Sequence, residues 1–160
     1  MFYYGLDNEP GVSRFYVLED KDDVRVGSVL KYKGTQADAG APDSLVDFAQ
    51  WTMKHYSAEH YALVIWNHGA GWSGVSYDDN THHGMDLPEV RSAPERICAD
   101  FEEGRHIDVL DFDACLMATL EVGYELRDTV DYLVASQAVE PGDGMPYSYL
   151  SRIRFNVRHF

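Results

Sequence analysis

Residues 107–136 read IDVLDFDACLMATLEVGYELRDTVDYLVAS. Ile107-Asp108-Val109-Leu110-Asp111-Phe112 is a short apolar-rich run of strand length. CLMATLEVGYELRD follows with apolar residues at helical spacing, and Leu116, Leu120 and Tyr124 are assigned to its inner face. Tyr132-Leu133-Val134-Ala135-Ser136 is a second strand. Strand, helix and strand in so short a space form a βαβ unit, and two parallel strands need such a crossover.

The pattern extends upstream. YALVIWNHGAGW, residues 61–72, is a buried-type strand over 61–67 that stops abruptly at Asn67 and His68. APDSLVDFAQWTMKHY, ending at Tyr56, reads as a helix, with Ser44 and Asp47 as a capping box. Pro88 starts a helix running towards Glu103, which Pro94 should kink or split. Residues 73–86 read as a polar loop. Arg14 to Leu18 reads as a strand, and VRVGSVLKYKG as an extended run that turns at Gly34. Alternating strands and helices imply an α/β fold with a mostly parallel sheet covered on both faces.

Such sheets bind ligands beyond the carboxyl ends of their strands. His68 and Cys115 both lie there. If strands 61–67 and 107–112 are neighbours, the two side chains emerge at the same sheet edge. Cys115 falls where a helix is expected to begin, and unpaired N–H groups there favour a thiolate. A cysteine with a histidine nearby is an activated-nucleophile arrangement. The N–H groups of Gly69 and Cys115 are suited to a tetrahedral oxyanion. Taken singly, each residue has a plainer reading: His68 as a turn residue, Cys115 as core, Asp113 as a helix cap, and Asp143 as part of a Gly-Asp-Gly turn.

Composition narrows the partners. The chain has 160 residues, with 27 acidic against 13 basic and a formal net charge of -14. That speaks against nucleic acid or an anionic membrane surface, since both need a basic face. Cys98 and Cys115 are the only cysteines, which excludes a disulfide scaffold. Cys98 reads as a structural thiol. No apolar run is long enough to span a membrane. MFYYGLDNEPG does not read as a signal peptide. SYDDNTHHGMD invites a metal reading, but adjacent His82 and His83 lack zinc spacing. Asp78, Asp79 and Asn80 offer oxygen ligands for calcium without matching an EF-hand loop. Nothing in the sequence sets an oligomeric state.

YALVIWNHGAGW together with IDVLDFDACLMATLEVGYELRDTVDYLVASQAVEPGDGMPY resembles the clostripain family of cysteine peptidases, over roughly residues 43–149. The resemblance implies a caspase-like three-layer α/β/α sandwich, related to gingipains, legumains and caspases, in a single domain over 1–160. It implies a His68/Cys115 catalytic dyad, and cleavage after Arg or Lys, with Asp113 binding the basic side chain and Asp143 contributing. Peptides or proteins bearing Arg or Lys would be the substrates. No cofactor is required, although some relatives use calcium. The resemblance also implies an extracellular or cell-envelope location. Some relatives mature by cutting themselves after a basic residue between the histidine and the cysteine. Here the first such residue past the glycines is Arg91.

The family usually has an earlier core strand and continues well beyond GMPY, whereas this chain ends in SRIRFNVRHF. The expectation is a sheet incomplete at both ends, with an exposed edge strand. The rival reading is an inactive caspase-like binding or scaffold domain. A peptidase cutting after Asp or Asn is disfavoured by Asp113.

Overall fold

Strand β7, Ile107–Asp113, is the centre of the principal sheet, because both of its edges are paired. It runs parallel to β4, Ala62–Trp66, on one side and to β8, Val130–Ala135, on the other. Side chains alternate across a strand, so Leu110 and Phe112 share a face with Leu63 and Ile65 of β4. All four are buried in one core with Val46, Ala49 and Met53 of helix α1, Pro42–His55, and Val90, Ala93 and Ile97 of helix α2, Leu87–Cys98. Each such apolar side chain contributes roughly 1.5–3 kcal/mol when fully buried. The opposite face carries Trp66, Asp111, Asp113, Tyr132 and Val134. Its aromatic and aliphatic members stay open, Trp66 at 52% and Tyr132 at 69% exposure.

The computed structural model describes residues 38–101 and 106–146, and the backbone of three strands nearer the N-terminus. Those strands are β1, Phe2–Gly5, β2, Val12–Val17, and β3, Val29–Thr35. They pair antiparallel in that order as a sheet of their own. The expected turn at Gly34 does not occur, because Gly34 lies within β3 opposite Ser13. The segment read as a loop over 73–86 holds a small hairpin, β5, Val75–Asp78, and β6, His83–Met85. Val75 and Met85 are buried at its base. Among the described residues, no helix is long and apolar enough to cross a membrane.

The helices also differ from expectation at their ends. Helix α1 begins at Pro42 with Ala41 as its N-cap, so Ser44 is already inside and forms no capping box. Proline fits the first helical position, where its missing N–H costs nothing. The capping box forms on α2 instead. There Asp86 accepts from the N–H of Glu89, and the Glu89 carboxylate accepts from the N–H of Asp86. Helix α2 runs unbroken through Pro94 and ends at Cys98, short of Glu103.

The largest correction concerns residues 115–128. Helix α3 spans only Leu120–Leu126, and its N-cap is Thr119, not a residue near Cys115. The preceding segment is held extended. Leu116 N donates to Ala138 O at 3.0 Å, and Ala118 N to Ser136 O at 2.8 Å. Leu116 also takes a left-handed φ of 62°, which no helix accommodates. The inner face is therefore Val122 and Leu126, while Leu116, Leu120 and Tyr124 face solvent.

Candidate active site

The register of β4 and β7 decides what meets at the sheet edge. Trp66 pairs with Asp113. His68 and Cys115 each lie two residues beyond this pair, so both leave the sheet at the same end. The two loops then pack closely, with glycines on the histidine side. A Cβ on Gly69 would lie 2.4 Å from the Cys115 carbonyl oxygen and 2.9 Å from Met117 Cγ. Gly71, with φ of +61°, faces the Leu116 carbonyl oxygen in the same way. The small residues after His68 thus let the histidine loop lie against the cysteine segment.

His68 is exposed, and its loop is fixed through the backbone. Its N–H donates to Asn67 Oδ1 at 2.6 Å, and its carbonyl accepts from Ser76 N at 3.0 Å. Cys115 is half-buried and does not sit at a helix N-terminus. Its Sγ instead accepts from the backbone N–H of Glu140 at 3.3 Å. The thiol in turn can donate to the Glu140 carbonyl oxygen at 3.9 Å, so the sulfur is held by one main-chain N–H and one carbonyl. The sequence could not reveal this donor, since a main-chain N–H carries no side-chain signature.

The N–H groups of Gly69 and Cys115 lie on the two packed loops. The bridge between Gly69 and Val75 is flanked by bonds from Ala70 N to Gly74 O and from Ser76 N to His68 O. Neither uses the Gly69 N–H. On the other loop, the N–H groups of Leu116 and Ala118 are engaged, and that of Cys115 makes no backbone hydrogen bond among the described residues.

Asp113 ends β7 and is buried, at 2% exposure. Its Oδ2 accepts from Met145 N at 2.7 Å. The turn before Met145 closes on it. Gly144 has a φ of +69°, and a Cβ there would lie 2.4 Å from Asp113 Oδ2 and 2.7 Å from Trp66 Nε1. Asp143, the residue before, is exposed on that turn. The sheet edge and the turn thus bring Asp113 and the Asp143 segment together. Asp111, two residues before Asp113 on the same face, was not singled out from the sequence. Burial, with Asp113 and Glu140 nearby, pushes its carboxyl up to about 6. An Asp inside an otherwise apolar central strand was the signal available.

The other polar groups have structural work. Asp78 accepts from the N–H groups of Ala39, Asn80 and Thr81, which ties the β5–β6 turn together. His83 pairs with Asp38 at 2.9 Å, and His82 with the Tyr77 hydroxyl. Cys98 lies partly buried against the core at the end of α2. Arg91 lies inside α2 and is paired with Glu95 and Glu125, which leaves it poorly placed as a cleavage site.

The sequence profile of the clostripain family matches residues 6–159. Clostripain from Hathewaya histolytica is 32% identical in an alignment of 136 residues that covers 76% of this chain and 25% of clostripain. A secreted C11 cysteine protease from Bacteroides thetaiotaomicron, solved with an irreversible peptide inhibitor, superposes with a TM-score of 0.73 at 26% identity. That match covers 98% of this chain and 44% of the protease. An inactive zymogen C11 protease from Parabacteroides distasonis superposes with a TM-score of 0.67 at 26% identity, over 91% of this chain and 40% of its own. The chain thus spans less than half the length of each of these relatives.

Proposed function

The chain belongs to the clostripain family of cysteine peptidases, and from that premise we propose that it cleaves peptide bonds after Arg or Lys. The Cys115 thiolate attacks the scissile carbonyl carbon, and an S–C bond forms. The N–H groups of Gly69 and Cys115 take the charge that develops on the oxygen. As the tetrahedral species collapses, His68 gives a proton to the leaving amine and the C–N bond breaks. His68 then deprotonates a water, which hydrolyses the thioester and releases the thiolate. Asp113 pairs with the basic side chain before the cut, and Asp143 reinforces the rim of that pocket.

The observation that supports this reading best is the β4–β7 register. It sends His68 and Cys115 out at one sheet end, with Gly69 against the Cys115 carbonyl. Relatives described as secreted support an extracellular setting for the substrate.

The test is kcat/KM on peptides with Arg, Lys, Ala or Asp before the cut. Cys115→Ala should abolish turnover, while Cys98→Ala should retain most of it. Losing a desolvated charge pair costs about 2–5 kcal/mol, so Asp113→Asn should lower kcat/KM on Arg substrates roughly 30- to 4,000-fold. The loss on Ala substrates should be far smaller. Turnover surviving in Cys115→Ala would sink the mechanism. An equal loss on every peptide would make Asp113 a structural residue. Equal alkylation of Cys115 and Cys98, without turnover, would favour an inactive scaffold.

A further inference from the structure

We propose that Asp111 is a second carboxylate of the cation pocket, standing behind Asp113 on the same face of β7 and reached past Trp66, and that it makes the pocket select guanidinium over ammonium. The inference rests on the basic-residue specificity proposed above and extends it to a residue outside the motif.

Asp111 is only 8% exposed, and its Oδ1 has no hydrogen-bond partner among the described residues. Leaving a buried carboxylate oxygen unpaired is costly, so a natural chain that keeps one needs a reason. Its register partners, Val64 and Val134, offer no donor side chain. The nearby charges, Asp113 and Glu140, are negative. The Glu140 N–H is directed at Cys115 Sγ. What the group lacks is a cation with several N–H donors.

The geometry suits one. Residues two apart on a strand project from the same face about 6.6 Å apart. A guanidinium has five N–H donors in a plane, so one edge can face Asp113 while the other reaches Asp111. An ammonium is a compact point charge and cannot bridge both carboxylates in that way. Trp66 is paired with Asp113 on the adjacent strand and is half exposed, which offers its ring to the flat face of a guanidinium.

The test uses the full chain and peptidyl chloromethyl ketones ending in Arg, Lys or Ala, with labelling of Cys115 followed by intact mass. Labelling does not depend on sustained turnover. For the wild type, Arg should label fastest. In Asp111→Asn the Arg-to-Lys rate ratio should fall about tenfold, the worth of a lost hydrogen bond to a charged group. The fall for Arg should exceed any fall for Ala. Asp111→Leu, which fills the space between Val64 and Val134, should lower the ratio as well. An unchanged Arg-to-Lys ratio in both variants, with Arg still preferred over Ala, overturns the role of Asp111 and leaves the peptidase reading intact. A wild type that labels equally with Arg and Ala overturns both. Loss of folding in both variants makes Asp111 structural and overturns it too.

Discussion

An aspartate in the middle of a central parallel strand pushes against the packing around it, and Asp111 shows how. Its carboxyl is raised to about 6 in the folded chain, mainly by burial, against 3.8 for an ordinary Asp. Between those two pH values the folded protein holds a proton that the unfolded chain releases. Protonation of Asp111 therefore favours folding, fully below the unfolded value, and this contribution is lost as pH rises through about 6. Above that, the folded state carries a strained charge. Asp111→Asn removes the charge without changing the shape. It should raise Tm at pH 7.5 by roughly 2–8 °C, and the gain should shrink towards zero near pH 4. Scanning calorimetry of both proteins at the two pH values checks this. A gain that does not depend on pH would show that packing, not ionisation, sets the difference. The exit of His68 and Cys115 at one sheet end was legible in the sequence, since both follow apolar runs that end abruptly. Asp111 was hidden because the motif beside it drew the chemistry to Asp113.

Elements explain what the linear pattern missed. The spacing of Leu116, Leu120 and Tyr124 is helical, but local periodicity gives no weight to the bonds from Leu116 N and Ala118 N to the segment after β8. Those non-local bonds hold residues 116–118 extended, and the helix waits for Thr119, a better N-cap. The adjacency of β4 and β7 was legible because crossover connections leave few choices. The hairpin of β5 and β6 was not, since its strands are short and polar. The turn after β8 shows the same limit at a functional place. Gly-Asp-Gly reads as an ordinary turn, yet its two glycines differ. Nothing lies within 4 Å of a Cβ built on Gly142, whereas one on Gly144 would meet Asp113 Oδ2 at 2.4 Å. The positive φ at Gly144 adds a cost of roughly 1–2 kcal/mol for any larger residue. Gly144→Ala should lift the turn off Asp113 and lower kcat/KM on Arg peptides at least about tenfold, the worth of a weakened charge-assisted contact. Gly142→Ala should leave kcat/KM unchanged. Equal behaviour of the two variants would mean that the turn does not shape the pocket.

At the scale of the whole molecule, charge is the dominant property. A net charge of -14 surrounds the proposed site, and Asp111, Asp113, Glu140 and Asp143 near it are acidic. This field repels anionic peptides and concentrates cationic ones before any contact forms. The proposed pairing of a basic side chain with the buried Asp113 acts at short range, where salt has little effect. The long-range field is different, since the Debye length is about 30 Å at 0.01 M salt and about 3 Å at 1 M. The two contributions can therefore be separated by ionic strength. Raising salt from low to high should lower kcat/KM on a peptide with several basic residues by about tenfold or more, the lower end of the range for electrostatic steering. A peptide whose only charge is the Arg before the cut should lose less, since its pairing with Asp113 is shielded from solvent. A neutral peptide, cleaved slowly, should be unaffected. Second-order cleavage rates for the three peptides across a salt series provide the check. A common slope for all three would mean that salt acts on the protein itself, and steering by the acidic surface would be ruled out.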